Sequence, residues 1–190
     1  IIKSNPYVLC TQGVDLSFSR ADAVAAKSDI PADSECRIKA GITYILRQNA
    51  DQGHTCLPLD SLVKTAVSYL DVDEKLIKKV IEDETEEENL YYYDKHGRRF
   101  VMLADFYKAE DYIARRLAIM RQISYDNKID FSEVIDLEEE NNGIQYEKIQ
   151  REAINLALSK GFLVLTGGPG TGKTTTLKSV VGILQFDEGE

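Results

Sequence analysis

Residues 162–180, FLVLTGGPGTGKTTTLKSV, decide how the C-terminal part of the chain is read. Phe162 to Leu165 form a short unbroken apolar run of strand formers, the pattern of a strand buried on both faces of a parallel sheet. Gly167 to Thr174 then matches G-x-x-x-x-G-K-[ST] without a mismatch. In such a loop the glycines bring backbone N–H groups close to phosphate oxygens, and the helix that follows points its positive end at the same anion. Nucleotide contacts are therefore expected from Gly168, Pro169, Gly170, Thr171, Gly172, Lys173, Thr174 and Thr175. Lys173 is expected to reach the β- and γ-phosphates, and the Thr174 hydroxyl to ligate Mg²⁺. Leu177, Val180, Val181 and Leu184 give the following helix one apolar face.

The residues ahead of the loop narrow the reading. The stretch YEKIQREAI, 146–154, has a helical pattern, with Ile149, Ala153, Ile154, Ala157 and Leu158 as its apolar stripe. Gln150 is polar and lies 23 residues before Lys173. An amide both donates and accepts, which suits it to an adenine edge. A Gln in QREAI, then an apolar run, then GGPGTGKTTT resembles the adenine-reading Gln motif and motif I of superfamily 1 helicases. That resemblance implies ATP with Mg²⁺, Lys173 and Thr174 as the catalytic pair, and Gln150 as the reader of adenine.

The rest of the chain extends the likeness. SNPYVL (4–9), RIKAGITYILRQNADQGHTCLPLDSL (37–62) and FVMLADFYKAEDYIARRL (100–117) occur in that order. The order resembles the N-terminal region of RecD-like helicases, the exodeoxyribonuclease V alpha-subunit family, of the long type that works without nuclease partners. The resemblance covers nearly the whole chain and implies an ATP-dependent 5′-to-3′ DNA helicase of repair and recombination. One departure stands out. The family carries a helix-hairpin-helix turn of the form G-I-G-F after NPY, whereas this chain has Gly13-Val14-Asp15-Leu16. Asp15 puts a side chain and a negative charge where backbone N–H groups would approach phosphate. The hairpin is expected to be structural, with phosphate binding in doubt.

Composition bounds the alternatives. The chain has 190 residues, 43% of them apolar, enough for one or two cores. No apolar stretch approaches the length of a membrane span and no signal peptide is present, so a cytoplasmic location is expected. Cys10, Cys36 and Cys56 are odd in number and widely spaced, which argues against a zinc site. His54 and His96 are isolated, and His54 reads as a turn or packing residue. The net charge of −9 opposes indiscriminate nucleic-acid binding, because phosphate affinity needs cations. The charge is uneven, however. Residues 82–88 hold six acids, whereas 95–121 hold seven Lys or Arg against three acids. Lys95, Arg98, Arg99, Arg115 and Arg116 are the candidate DNA contacts, on a surface that reads equally well as a solvated helix face.

The expected fold is mainly α, with a small winged-helix-like α+β part and the first β-loop-α of a P-loop α/β motor at the C-terminal end. The expected divisions are a helix-hairpin-helix-like region at 1–57, a winged-helix-like region and following helix at 58–121, a linker at 122–143, and the motor from 144 to 190. Leu59, Leu62, Val63, Ala66, Val67 and Leu70 share one helix face, with Pro58 near its start. Asp73 is placed to cap a second helix. NLYYYDKHGRRFVML (89–103) alternates into a hairpin turning at Asp94 to Gly97. The acids of 82–88 read as a solvated loop or helix end, and DLEEENNG (136–143) as the linker. A helicase motor also needs an acidic pair on a later strand and arginines from a second motor domain, and QFDEGE (185–190) supplies neither. The expectation is an N-terminal piece, itself inactive as a helicase, of a chain that binds DNA with a single-stranded region. An AAA-type P-loop hydrolase, or a DNA- or protein-binding module in residues 1–120, remains open.

Overall fold

The computed structural model describes residues 5–10, 16–123 and 131–187. They divide into two compact units, 1–111 and 112–190. Gly13 and Asp15, on which the expected hairpin turn depends, lie outside the described residues.

In the first unit a 3₁₀ turn, Pro6–Cys10, leads to helix α1, Phe18–Ala25, and helix α2, Glu35–Asp51. Strand β1, Cys56–Pro58, is followed by α3, Leu59–Leu70, and α4, Glu74–Glu86. The hairpin β2, Leu90–Lys95, and β3, Arg98–Leu103, completes an antiparallel sheet in the order β1-β3-β2. Helix, strand, two helices and a two-stranded wing make the winged-helix arrangement that the patterning suggests. Because β1 pairs with β3 through Cys56↔Met102 and Pro58↔Phe100, the expected division at residue 57 cuts through a strand of this sheet.

Local chemistry explains the elements. Helix α2 buries Ile38, Gly41, Ile42, Ile45 and Leu46, one stripe at three- and four-residue spacing. Gly41 permits close approach: a Cβ there would lie 2.6 Å from Leu70 Cδ2 of α3. Asp73 caps α4, its side chain accepting from the Lys75 N–H at 2.8 Å. Helix α4 buries Ile77, Val80 and Ile81 against this core. The acidic run forms the end of α4, but it is not all solvated: Glu84 is only 8% exposed and meets Lys39 Nζ at 2.8 Å. In the hairpin, His96 and Gly97 both have positive φ (51° and 73°), as a two-residue turn between twisted strands requires.

The helix α5, Ala104–Met120, crosses the division between the units and buries none of its residues. In the second unit α6, Ser132–Asn142, α7, Lys148–Ser159, and α8, Lys173–Asp187, enclose a small core of Ile135, Tyr146, Ile154, Leu158 and Ile183.

Four local expectations are corrected here. Residues 136–142 are not an irregular linker but most of α6, which buries Ile135 and stops at Gly143 in the left-handed conformation. No strand forms at 162–165, and Val164 is 64% exposed. A strand is held by ladder hydrogen bonds, and the strands among the described residues all belong to the winged-helix sheet. On α7, Ile149 is 78% exposed whereas Ala153, Ile154 and Leu158 are buried. On α8, Leu177, Val181 and Leu184 face out, and the packed side is Thr176, Ser179, Val180 and Ile183. That helix carries two apolar stripes, and the pattern alone does not say which one meets α7.

Candidate nucleotide-binding site

The site is built where α7 begins and α8 begins. Residues 160–172 join α7 to α8; 163–171 are exposed and Gly172 at the end is half-buried. Gly170 and Gly172 have φ of 76° and 77°, and Gly172 also faces the start of α7. A Cβ built on Gly172 would lie 2.1 Å from Gln150 Nε2 and 3.4 Å from its Cδ. The positive φ favours glycine there, and any side chain would also have to displace the Gln150 amide.

Gln150 is therefore set directly against the phosphate-binding loop, although 22 residues of chain separate it from Gly172. It is the third residue of α7 and completes a capping box. Its Oε1 accepts from the Glu147 N–H at 2.9 Å, while the Glu147 side chain accepts from the Gln150 backbone N–H. The Glu147-x-x-Gln150 spacing is the signal that would have shown this second role in the sequence.

Lys173, the first residue of α8, folds its side chain back over the loop. Its ammonium donates to the Gly167 carbonyl at 2.7 Å, to the Gly168 carbonyl, and to Thr171 Oγ1 at 3.3 Å. Thr171 Oγ1 in turn donates to the Gly168 carbonyl at 3.0 Å. The loop thus brings one ammonium, the start of α8 and an exposed glycine-rich backbone together. Thr174 and Thr175 are exposed in the first turn of α8, and Pro169 is exposed at the tip of the loop. The donor set suits a phosphate chain: N–H groups and an ammonium for its oxygens, and a threonine hydroxyl for a hard divalent cation.

Buried contacts hold α8 to its neighbours. Tyr146 and Ser179 are hydrogen bonded through their hydroxyls, and Ser179 Oγ donates to the Thr175 carbonyl at 3.0 Å. The Tyr146 N–H donates to Glu139 Oε1 at 2.6 Å. Arg151 joins α7 to α6, donating to Glu139 at 2.6 Å and to Asp136 at 2.5 Å. The two carboxylates hold the guanidinium firmly protonated, Asp136 contributing most. Nothing in the residue pattern singles out the Tyr146–Ser179 pair, because 33 residues separate them.

The candidate DNA contacts fall in two places. Lys95, Arg98 and Arg99 sit together at the tip of the wing in the first unit. Arg99 is engaged there: it pairs with Asp94 at 3.0 and 3.3 Å and lies 4.9 Å over the Tyr92 ring. Arg115 and Arg116 lie on exposed turns of α5 in the second unit. His54 is exposed in a turn, its backbone bonded to Asn49. Among the described residues no helix is long and apolar enough to cross a membrane.

Comparison with known proteins finds likenesses in both the first and the last part of the chain. The profile of the ATP-dependent RecD2 DNA helicase HHH domain matches residues 1–56, and that of an AAA domain matches residues 150–189. The RecBCD enzyme subunit RecD of Mycolicibacterium smegmatis is 60% identical over 35 residues, which are 18% of this chain and 6% of the relative. The subunit of the same name from Mycobacterium tuberculosis is 57% identical over 35 residues, with the same shares. The chain thus aligns with only a small part of the curated relatives it matches. The two profiles and the RecD relatives support a RecD-like helicase N-terminal region, ending in the start of a P-loop domain.

Proposed function

We propose that the chain is the N-terminal part of an ATP-dependent DNA helicase, in which a long accessory region precedes the phosphate-binding loop and first helix of the motor. The observation that carries this reading is Gln150 held against Gly172. An amide able to read adenine stands at the loop able to hold its phosphates, in the order of the RecD-like likeness. The AAA-type alternative is disfavoured by the match at residues 1–56.

In this reading Gly170, Gly172, Lys173 and the first N–H groups of α8 hold the β- and γ-phosphates of ATP, and Thr174 holds Mg²⁺. The cation would neutralise charge on the phosphates. Lys173 must first leave the Gly167 and Gly168 carbonyls, which shows that its side chain already reaches across the loop. Gln150 must turn its Oε1 from the Glu147 N–H to the adenine amine. The proposed division of labour puts DNA-handling surfaces before residue 121 and nucleotide chemistry after 144.

Binding of a fluorescent ATP analogue with Mg²⁺ to the 190-residue chain tests the reading. The expected result is saturable binding that Lys173→Ala removes and that ATP competes better than GTP. Gln150→Ala is expected to weaken ATP by about 1–3 kcal/mol, the cost of leaving polar partners unpaired, and to leave GTP nearly unchanged. Equal losses for the two nucleotides would confine Gln150 to its capping role, and unimpaired binding by Lys173→Ala would refute the reading.

A further inference from the structure

The winged-helix sheet has a second face. Leu90, Val101 and Leu103 point to the core, so the paired residues between them point away from it. On that outer face Tyr91 pairs with Met102, Tyr93 with Phe100 and Lys95 with Arg98, while Pro58 of β1 lies opposite Phe100. Aromatic residues therefore run into a pair of cations along one sheet surface.

This face already holds a ring stack. Tyr107 of α5 lies on Tyr91 with centroids 4.1 Å apart and planes 4° from parallel. Tyr93 is the next outward residue of the strand, about 6.6–6.8 Å further along. It is 46% exposed and has no aromatic partner among the described residues. An open cavity of about 480 Å³ adjoins the same face, between Phe100, Pro58 and the His54 turn. The cations at the end are available: among the described residues neither Lys95 nor Arg98 has an ion-pair partner. Of the neighbouring acids, Asp94 is paired with Arg99, while Glu110 accepts from the Thr55 hydroxyl at 2.6 Å and keeps its charge.

We infer that the outer face of the wing is a stacking platform for single-stranded nucleic acid, with one base on Tyr93 and the adjoining phosphates on Lys95 and Arg98. Sheet-borne aromatics flanked by cations bind single strands through base faces and backbone charge, with little sequence preference. Duplex binding along the whole of α4 is opposed by the exposed acids Glu82 and Glu86 in its last turns, which repel a phosphate backbone. The inference deepens the proposed helicase reading, since a motor that tracks DNA needs a grip on the unpaired strand.

The test is fluorescence anisotropy of the 190-residue chain with labelled oligothymidylate of about fifteen nucleotides, and with an abasic oligomer carrying the same phosphates. The wild type is expected to bind oligothymidylate more tightly than the abasic strand. Tyr93→Ala should weaken oligothymidylate roughly 5- to 150-fold, the loss of one stacked base. Tyr93→Phe, which keeps the ring, should bind within about twofold of wild type if stacking carries the affinity. Lys95→Ser with Arg98→Ser should reduce the slope of log affinity against log salt by about 1.4, roughly 0.7 for each lost phosphate contact. Wild-type affinity in Tyr93→Ala, equal binding of the abasic strand, or an unchanged salt slope would overturn the inference. Absence of any binding by the wild type would also overturn it and leave the face to a protein partner. Nucleotide binding by the loop at 167–174 is read separately, so failure of the platform and failure of the helicase reading are distinguishable.

Discussion

At the scale of single residues, two positions hold the molecule to one arrangement and can be tested directly. Gly172 combines a left-handed backbone with a side chain pressed into the place its Cβ would take. Gly172→Ala adds the strain of a non-glycine residue at positive φ, about 1–3 kcal/mol, and displaces Gln150 as well. Loss of nucleotide binding greater than that of Gln150→Ala is expected, because the loop and the amide both move; titration with the fluorescent nucleotide reads it. The second position is Asp22, which accepts from Arg37 Nε at 2.7 Å and from the Tyr7 hydroxyl at 2.5 Å. The Arg37 hydrogen bond holds its carboxyl below the usual range, with Tyr7 adding to the effect and partial burial opposing it. Burial and the same carboxylate push the Tyr7 hydroxyl well above its ordinary value. Since the folded pKa of Asp22 is depressed, its stabilisation is present above the unfolded value, about 3.9, and is lost as pH falls through the folded value. Asp22→Asn should therefore be less stable than wild type at pH 7, with the gap closing below about pH 4. Denaturant unfolding at pH 7 and pH 3 checks that the gap is smaller at the lower pH.

At the scale of elements, what the residue pattern reveals depends on how local the cause is. Helix α3 and the start of α4 are legible because their apolar stripes and the Asp73 cap lie within a few residues of one another. The wing is legible because alternation and a His-Gly turn fix a hairpin by themselves. Asp73→Ala should cost about 0.5–2 kcal/mol, the value of an N-cap, read as a shift in the denaturant midpoint at constant slope. By contrast, residues 162–165 are apolar enough for a strand, but a strand needs a neighbour, and composition does not supply one. The face of α8 fails for a related reason: two apolar stripes compete, and packing against α7 chooses the one with Ile183. Helix α6 was hidden by its charge, since it buries Ile135 alone and is otherwise tied down by polar contacts of Asp136 and Glu139, so that its sequence reads as a polar linker. The glycine-rich stretch was legible as a loop leading into a helix, because its glycines and the Lys173-Thr174 start of α8 form a local pattern that does not depend on distant parts of the chain.

At the scale of the whole molecule, the two cores differ in size. The first unit buries an extended cluster from Tyr7 to Leu103, while the second rests on Ile135, Tyr146, Ile154, Leu158 and Ile183. A small core leaves a unit marginal, because conformational entropy offsets nearly all that burial contributes. The amides of α7 and α8 are thus expected to exchange with solvent faster than those of α2, α3 and α4. The nucleotide loop lies between α7 and α8, and a ligand that binds only the folded form adds RT ln(1 + [L]/Kd) to its stability. At about one hundred times Kd that addition is roughly 2.7 kcal/mol, a hundredfold in the population of the open form. ATP with Mg²⁺ should therefore slow hydrogen exchange in 148–159 and 173–187 by up to about a hundredfold, wherever exchange requires the unit to open. Lys173→Ala should abolish the slowing at the same nucleotide concentration. Ile154→Ala, which empties a fully buried position, should speed exchange in both helices without nucleotide, by the loss of about 2–5 kcal/mol of packing. Protection that appears with nucleotide in wild type and Lys173→Ala alike would place the ligand elsewhere on the molecule. Exchange in α7 and α8 as slow as in α2 to α4 before nucleotide is added would mean that the second unit draws its stability from more than its own five-residue core.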